Sequence, residues 1–76
     1  MKELITFIAE KLVDQPSAVD VTCRDEDDCI TIELRVAQED LGKVIGKQGR
    51  TARAMRTVLA TAAAKLDKRS RLEILE

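Results

Sequence analysis

The chain has 76 residues, a formal net charge of −1, and 45% hydrophobic against 36% charged residues. That length supports one domain with one modest core, and the near-zero charge argues against a polyanion binder that works through bulk charge. Phe7 is the only aromatic residue and histidine is absent, so base stacking on aromatic rings and imidazole chemistry are both closed to it.

Leu4, Ile5, Ile8, Leu12 and Val13 recur with the spacing of one helix face, while Lys2, Glu3, Glu10, Lys11 and Asp14 take the other side. Pro16 stops this helix, and residues 14–17 form the connection. Over residues 18–24 the period changes to two, with Val19, Val21 and Cys23 pointing one way and Asp20, Thr22 and Arg24 the other. Four acids follow at 25–28 and read as a solvated hairpin tip. A calcium loop would need liganding oxygens at fixed alternate positions and a glycine in the bend, and neither is there. Ile30, Ile32, Leu34 and Val36 then alternate strictly with Thr31, Glu33 and Arg35, which predicts a half-buried strand antiparallel to the first.

Cys23 and Cys29 flank the acidic turn. They could face each other across the hairpin. With no C-x-x-C spacing, no histidine and no secretory signal, they read as reduced structural cysteines of a cytosolic protein, with no metal or cofactor implied. No apolar run approaches the ~20 residues of a membrane span.

Residues 39–45 predict one or two helical turns, since Glu39 and Asp40 suit a helix N-terminus. Gly42 inside them costs about 1 kcal/mol relative to alanine, which predicts close packing against a neighbouring helix. After Gly49 the pattern is long and helical. Met55, Val58, Leu59, Ala62 and Leu66 form the apolar stripe, and Arg50, Arg53, Thr57, Thr61 and Ala64 face away from the core. Residues 67–70 end that helix, and 71–75 read as a last strand with Leu72 and Ile74 inward. The order helix, strand, strand, short helix, long helix, strand predicts an α+β two-layer sandwich over residues 1–76. Its three-stranded sheet would carry three helices on one face.

The stretch between the two last helices holds all three glycines, Gly42, Gly46 and Gly49. Charge is sorted around it. Residues 41–66 carry Lys43, Lys47, Arg50, Arg53, Arg56 and Lys65 with no acid, whereas residues 24–40 are strongly acidic, so a basic face can exist on a nearly neutral protein. A P-loop is excluded, because that motif is G-x-x-x-x-G-K-[ST] and here only Lys43, Val44 and Ile45 separate the first two glycines, with Gln48 after the lysine. The dinucleotide fingerprint G-x-G-x-x-G fails because Val44, not glycine, stands two before Gly46. What is left is Gly46-Lys47-Gln48-Gly49 at a helix N-terminus, an open backbone turn beside positive charge and suited to an extended anion.

In the context Val44-Ile45-Gly46-Lys47-Gln48-Gly49-Arg50-Thr51, within this element order, the chain resembles a KH domain, whose G-x-x-G loop clamps about four nucleotides of single-stranded backbone. The extra helix and strand before the core motif resemble the type II arrangement. A chain of this size with one such domain is similar to the small bacterial KhpA family across its length. The resemblance implies a cytoplasmic protein that binds single-stranded RNA, an RNA chaperone or post-transcriptional regulator linked to cell elongation and envelope homeostasis. It also implies a larger KH-containing partner of the KhpB kind and self-association as a homodimer. By the family's pattern Gly46, Lys47, Gln48 and Gly49 touch the sugar-phosphate backbone, and Ile45 lines the groove beneath the bases, although the core has an equal claim on it. Electrostatics adds Lys43, Arg50 and Arg53, for each of which plain solvation is the alternative. No nucleophile–base pair exists to support an enzyme. The rival reading is a protein-interaction module with this fold and little nucleic-acid affinity, supported by the near-neutral charge and the alanine-rich helix surface.

Overall fold

The computed structural model describes residues 1–75. Helix α1 spans Lys2–Leu12, with Glu3 in its first turn and Lys11 in its last, each placed to complement the helix dipole. A 3-10 turn at Pro16–Ala18 leads into β1 (Asp20–Glu26), which turns back directly into β2 (Cys29–Arg35). A second 3-10 turn, Gln38–Asp40, runs into the five-residue helix α2 (Leu41–Ile45). The glycine turn follows, then α3 (Arg50–Ala64) and β3 (Arg69–Leu75).

β2 is the central strand. It pairs antiparallel with β1, Val21 opposite Leu34 and Cys23 opposite Ile32, and parallel with β3, Ile32 opposite Leu72 and Leu34 opposite Ile74. A parallel partner needs a crossover, and α2, the glycine turn and α3 are that crossover. The period-two alternation therefore puts Ile30, Ile32 and Leu34 on the face that the helices cover. They form one core with Ile5 and Ala9 of α1, Val21 of β1, Val36, Val44 of α2, Met55, Leu59 and Ala63 of α3, and Leu72 of β3.

Several boundaries and faces differ from the sequence reading. The hairpin continues through half of the acidic run: Asp25 pairs with Ile30 and Glu26 with Cys29, so only Asp27 and Asp28 form the turn. Cross-strand backbone bonds hold these acids in the ladder, and Lys68, just before β3, forms an ion pair with Asp25. Cys23 lies on the face of its partner Ile32, while Cys29 lies on the opposite face, three residues from Ile32. The two thiols are free and cannot meet.

On α3 the buried stripe is Ala52, Met55, Leu59 and Ala63, rotated from the stripe that the larger side chains suggest. Small alanines at both ends let the helix lie close on the sheet, and Val58 and Leu66 are left 41% and 57% exposed. The stripe of Arg50, Arg53, Thr57, Thr61 and Ala64 faces solvent as expected. On α1, Ile5 and Ala9 are buried, whereas Leu4 and Leu12 lie at the exposed margin. The last strand begins two residues earlier than its side-chain alternation suggests, at Arg69, whose amide donates to the Asp28 carbonyl at 2.8 Å. Among the described residues no helix is long and apolar enough to cross a membrane.

Candidate nucleic-acid interface

The candidate interface is built on the junction of α2 and α3. The Gly46 amide still closes the last turn of α2 on the Gly42 carbonyl at 2.9 Å, and then the backbone reverses hand. Gly46 has φ 79° and ψ 169°, a region open in practice only to glycine. Gln48 (φ 58°) and Gly49 (φ 74°) follow in the left-handed region. The Gly49 amide bonds the Gly46 carbonyl at 3.0 Å, which pins the turn at both glycines.

The two glycines serve different ends. A Cβ on Gly46 would stand 2.7 Å from both the Thr51 backbone nitrogen and the Thr51 Cβ, so the first turn of α3 sits directly on the Gly46 backbone. A Cβ on Gly49 would meet nothing within 4 Å, so its constraint is conformational alone. Gly42 departs from the sequence reading. A Cβ there also meets nothing within 4 Å, so no neighbouring helix packs against it. It lies one turn below Gly46, with an open helix backbone facing solvent.

Lys47 and Gln48 are exposed at the tip of the turn. Arg50 opens α3 next to them and its Nη2 donates to the Gln48 Oε1 at 3.4 Å, which draws guanidinium and amide over the same surface. Gly49 supplies no side-chain cap, so the first amides of α3 keep their positive end towards the turn. Arg53 is exposed one turn further on. Lys47, Arg50 and Arg53 form no ion pair among the described residues.

The other basic side chains are directed elsewhere. Lys43 lies 2.6 Å from the Asp14 Oδ2 and 3.7 Å from the Asp40 Oδ1. The hydrogen bond to Asp14 holds its pKa above the ordinary lysine value, aided by the charges of Asp14 and Asp40 against some desolvation. The Arg56 Nη2 donates to the Leu72 carbonyl at 3.4 Å, turned towards β3. Of the two consecutive aliphatics, Val44 fills the core completely and Ile45 is 41% exposed beside the glycines. The competing claim of the core on Ile45 is thus met by its neighbour.

Three residues here have places that the sequence reading does not give them. Thr51 and Gly42 are visible only once the turn is built, although the unexplained helix glycine was a signal. Asp40 reads locally as a helix N-terminal acid, and its actual partners lie 25 and 26 residues away.

A G-x-x-G turn joining two helices, inside a crossover between parallel strands of a three-stranded sheet, with one more helix and strand in front, defines a KH domain of the type II order. Comparison with known proteins agrees with the fold. The family described as KhpA/KhpB, KH domain, matches residues 2–74, and the chain belongs to that family. Among its relatives, the RNA-binding protein KhpA of Listeria monocytogenes is 49% identical over 76 residues, covering 100% of both chains. That of Clostridium acetobutylicum is 52% identical over 75 residues, 99% of this chain and 100% of the relative. The RNA-binding protein KhpA of Caldanaerobacter subterraneus is 53% identical over 75 residues, with the same coverage.

Proposed function

We propose that this protein binds single-stranded RNA at the α2–α3 junction. The backbone of Gly46–Gly49 and the N-terminus of α3 hold the phosphates, and bases lie on the aliphatic surface of Ile45 and the bare helix backbone at Gly42. The observation that carries this reading is the left-handed glycine turn, pinned from beneath by Thr51 and flanked by Lys47, Arg50 and Arg53, which form no ion pair among the described residues. The relatives' name, RNA-binding protein, supports it. With Phe7 of α1 the only aromatic residue, affinity rests on backbone contacts. Neutralising three phosphates gives a slope of log K against log salt of about −2 for a single strand.

The test replaces Lys47 and Gln48 together by aspartate, in an exposed turn where folding should change within ~0.5 kcal/mol. Titrating parent and variant with a single-stranded RNA over a salt series should give a folded variant with no measurable affinity. Binding equal to the parent's would move the interface elsewhere.

The reading extends to an RNA chaperone or post-transcriptional regulator in the cytoplasm, working with a larger KH-containing protein and as a homodimer. A specific surface favours association. Leu4 of α1 and Val58, Ala62 and Leu66 of α3 line an apolar groove, with Phe7, 60% exposed, on the same helix as Leu4. Exposed apolar surface of this kind marks protein contacts. Val58→Asp should abolish self-association in sedimentation velocity while leaving RNA binding per chain intact. An unchanged sedimentation coefficient in an associating parent would place the contact on another face.

A further inference from the structure

Asp40 is the one buried acidic side chain among the described residues, 1% exposed, and nothing in the RNA interface uses it. It stands at the N-cap of α2, where a carboxylate ordinarily bonds the amides of its own helix. Here it makes no such bond. Its Oδ2 accepts from the Gln15 amide at 3.0 Å and its Oδ1 from the Asp14 amide at 3.2 Å, so both oxygens grip the connection that follows α1. Lys43, one turn into α2, closes the ring onto Asp14 and Asp40, and the Gln15 Nε2 donates to the Glu39 Oε2 at 2.8 Å.

This clasp matters because of what α2 is. A five-residue helix has too few internal bonds to hold itself. Val44 anchors one side of it in the core, and Leu41 packs partly against the same core. Two apolar anchors on one side leave the helix free to rock about its axis. The clasp fixes its start through directional bonds to the connection that follows α1. Gly46 closes on Gly42 inside this helix, so any rotation of α2 is passed directly to the glycine turn.

We infer that Asp40 is a positioning residue of the glycine turn, holding α2 through the 14–15 backbone so that Gly46–Gly49 keeps a single geometry, and that Lys43 serves this clasp and not the ligand. The inference deepens the RNA-binding reading, but its first observable is the order of the turn, which is independent of RNA.

The experiment uses the full chain labelled with ¹⁵N, as parent, Asp40→Ala and Asp40→Asn, at a temperature where each is folded by circular dichroism. Asp40→Ala should shift or broaden the amide signals of residues 42–50 as well as 14 and 15, and leave those of β2 and β3 in place. Asn keeps one acceptor oxygen, so Asp40→Asn should show the same pattern more weakly, and it stands in if the alanine variant does not fold. With single-stranded RNA, apparent affinity falls in proportion to the fraction of competent turn, about tenfold for Asp40→Ala if one molecule in ten keeps the geometry. The salt slope should stay at the parent's value, because no phosphate contact is removed. Lys43→Gln should likewise leave the slope unchanged, whereas a lysine on a phosphate would lower it by about 0.7. Variants that melt earlier but keep parent positions for the turn amides would overturn the inference and leave Asp40 a role in stability alone. If the parent binds no RNA while the turn signals respond as described, the RNA reading fails and the positioning role stands.

Discussion

Replacing Gly42 by alanine sets stability and ligand binding against each other. Gly42 is inside α2 with helical backbone, and an added Cβ meets no protein atom within 4 Å. Alanine therefore relieves the entropic cost of glycine in a helix, about 0.5–1 kcal/mol, without a clash. For a chain of this size the unfolding entropy is about 160 cal/mol/K, from ~2.1 cal/mol/K per residue. The melting temperature should rise by about 3–6 °C. The same methyl group would project beside Ile45 and below Gly46, on the surface proposed to receive bases. RNA affinity should fall as the protein becomes more stable. Calorimetry and a fluorescence titration on one preparation check both halves. A lower melting temperature would mean that Gly42 is in fact packed against. A higher one with parent-like RNA affinity would mean that no ligand approaches this face of α2.

Gly46→Ala should destabilise by about 2 kcal/mol or more, from backbone strain and the collision with Thr51. Adding Thr51→Ala should not rescue it in urea denaturation, because the Thr51 backbone nitrogen stays 2.7 Å away. At the other end of α3 the chain leaves through a Schellman turn, with the Lys68 amide on the Ala63 carbonyl and the Asp67 amide on the Ala64 carbonyl, both at 3.0 Å. Asp67 there has φ 59°, where glycine is preferred, and its charge sits at the negative end of the helix. Asp67→Gly should accordingly stabilise by about 1 kcal/mol, read as a later thermal midpoint. The raised pKa of Lys43 means that its contribution to stability is complete below the ordinary lysine value of 10.5 and is lost as pH rises through the higher folded value. Lys43→Met should thus melt below the parent at neutral pH, and the gap should close only in strongly alkaline solution.

How much of this was legible beforehand depended on the range of the interactions involved. Periodicities of 3.6 and 2 are imposed by local backbone geometry, so the two longer helices, the hairpin and the last strand could be placed from side-chain spacing, and the short helix from its acidic start. The glycine turn was equally legible, since a positive φ at Gly46 and Gly49 is a local demand that leaves its mark on residue type. Local pattern could not decide which flank of each helix faces the sheet. On α3, Val58 and Leu66 outweigh Ala52 and Ala63 in hydrophobicity. The close approach of helix to sheet nonetheless selects the smaller residues, because packing depends on shape as well as on transfer energy. The fate of individual charges was also hidden. Lys43, Lys47 and Arg53 look alike in a basic block, and only the arrival of Asp14 and Asp40 beside Lys43 separates the ion-paired lysine from cations that form no ion pair among the described residues. Residue type and spacing determined the elements and the turn. Which side chains the turn leaves free was decided by contacts between segments more than twenty residues apart, and those exist only in the folded domain.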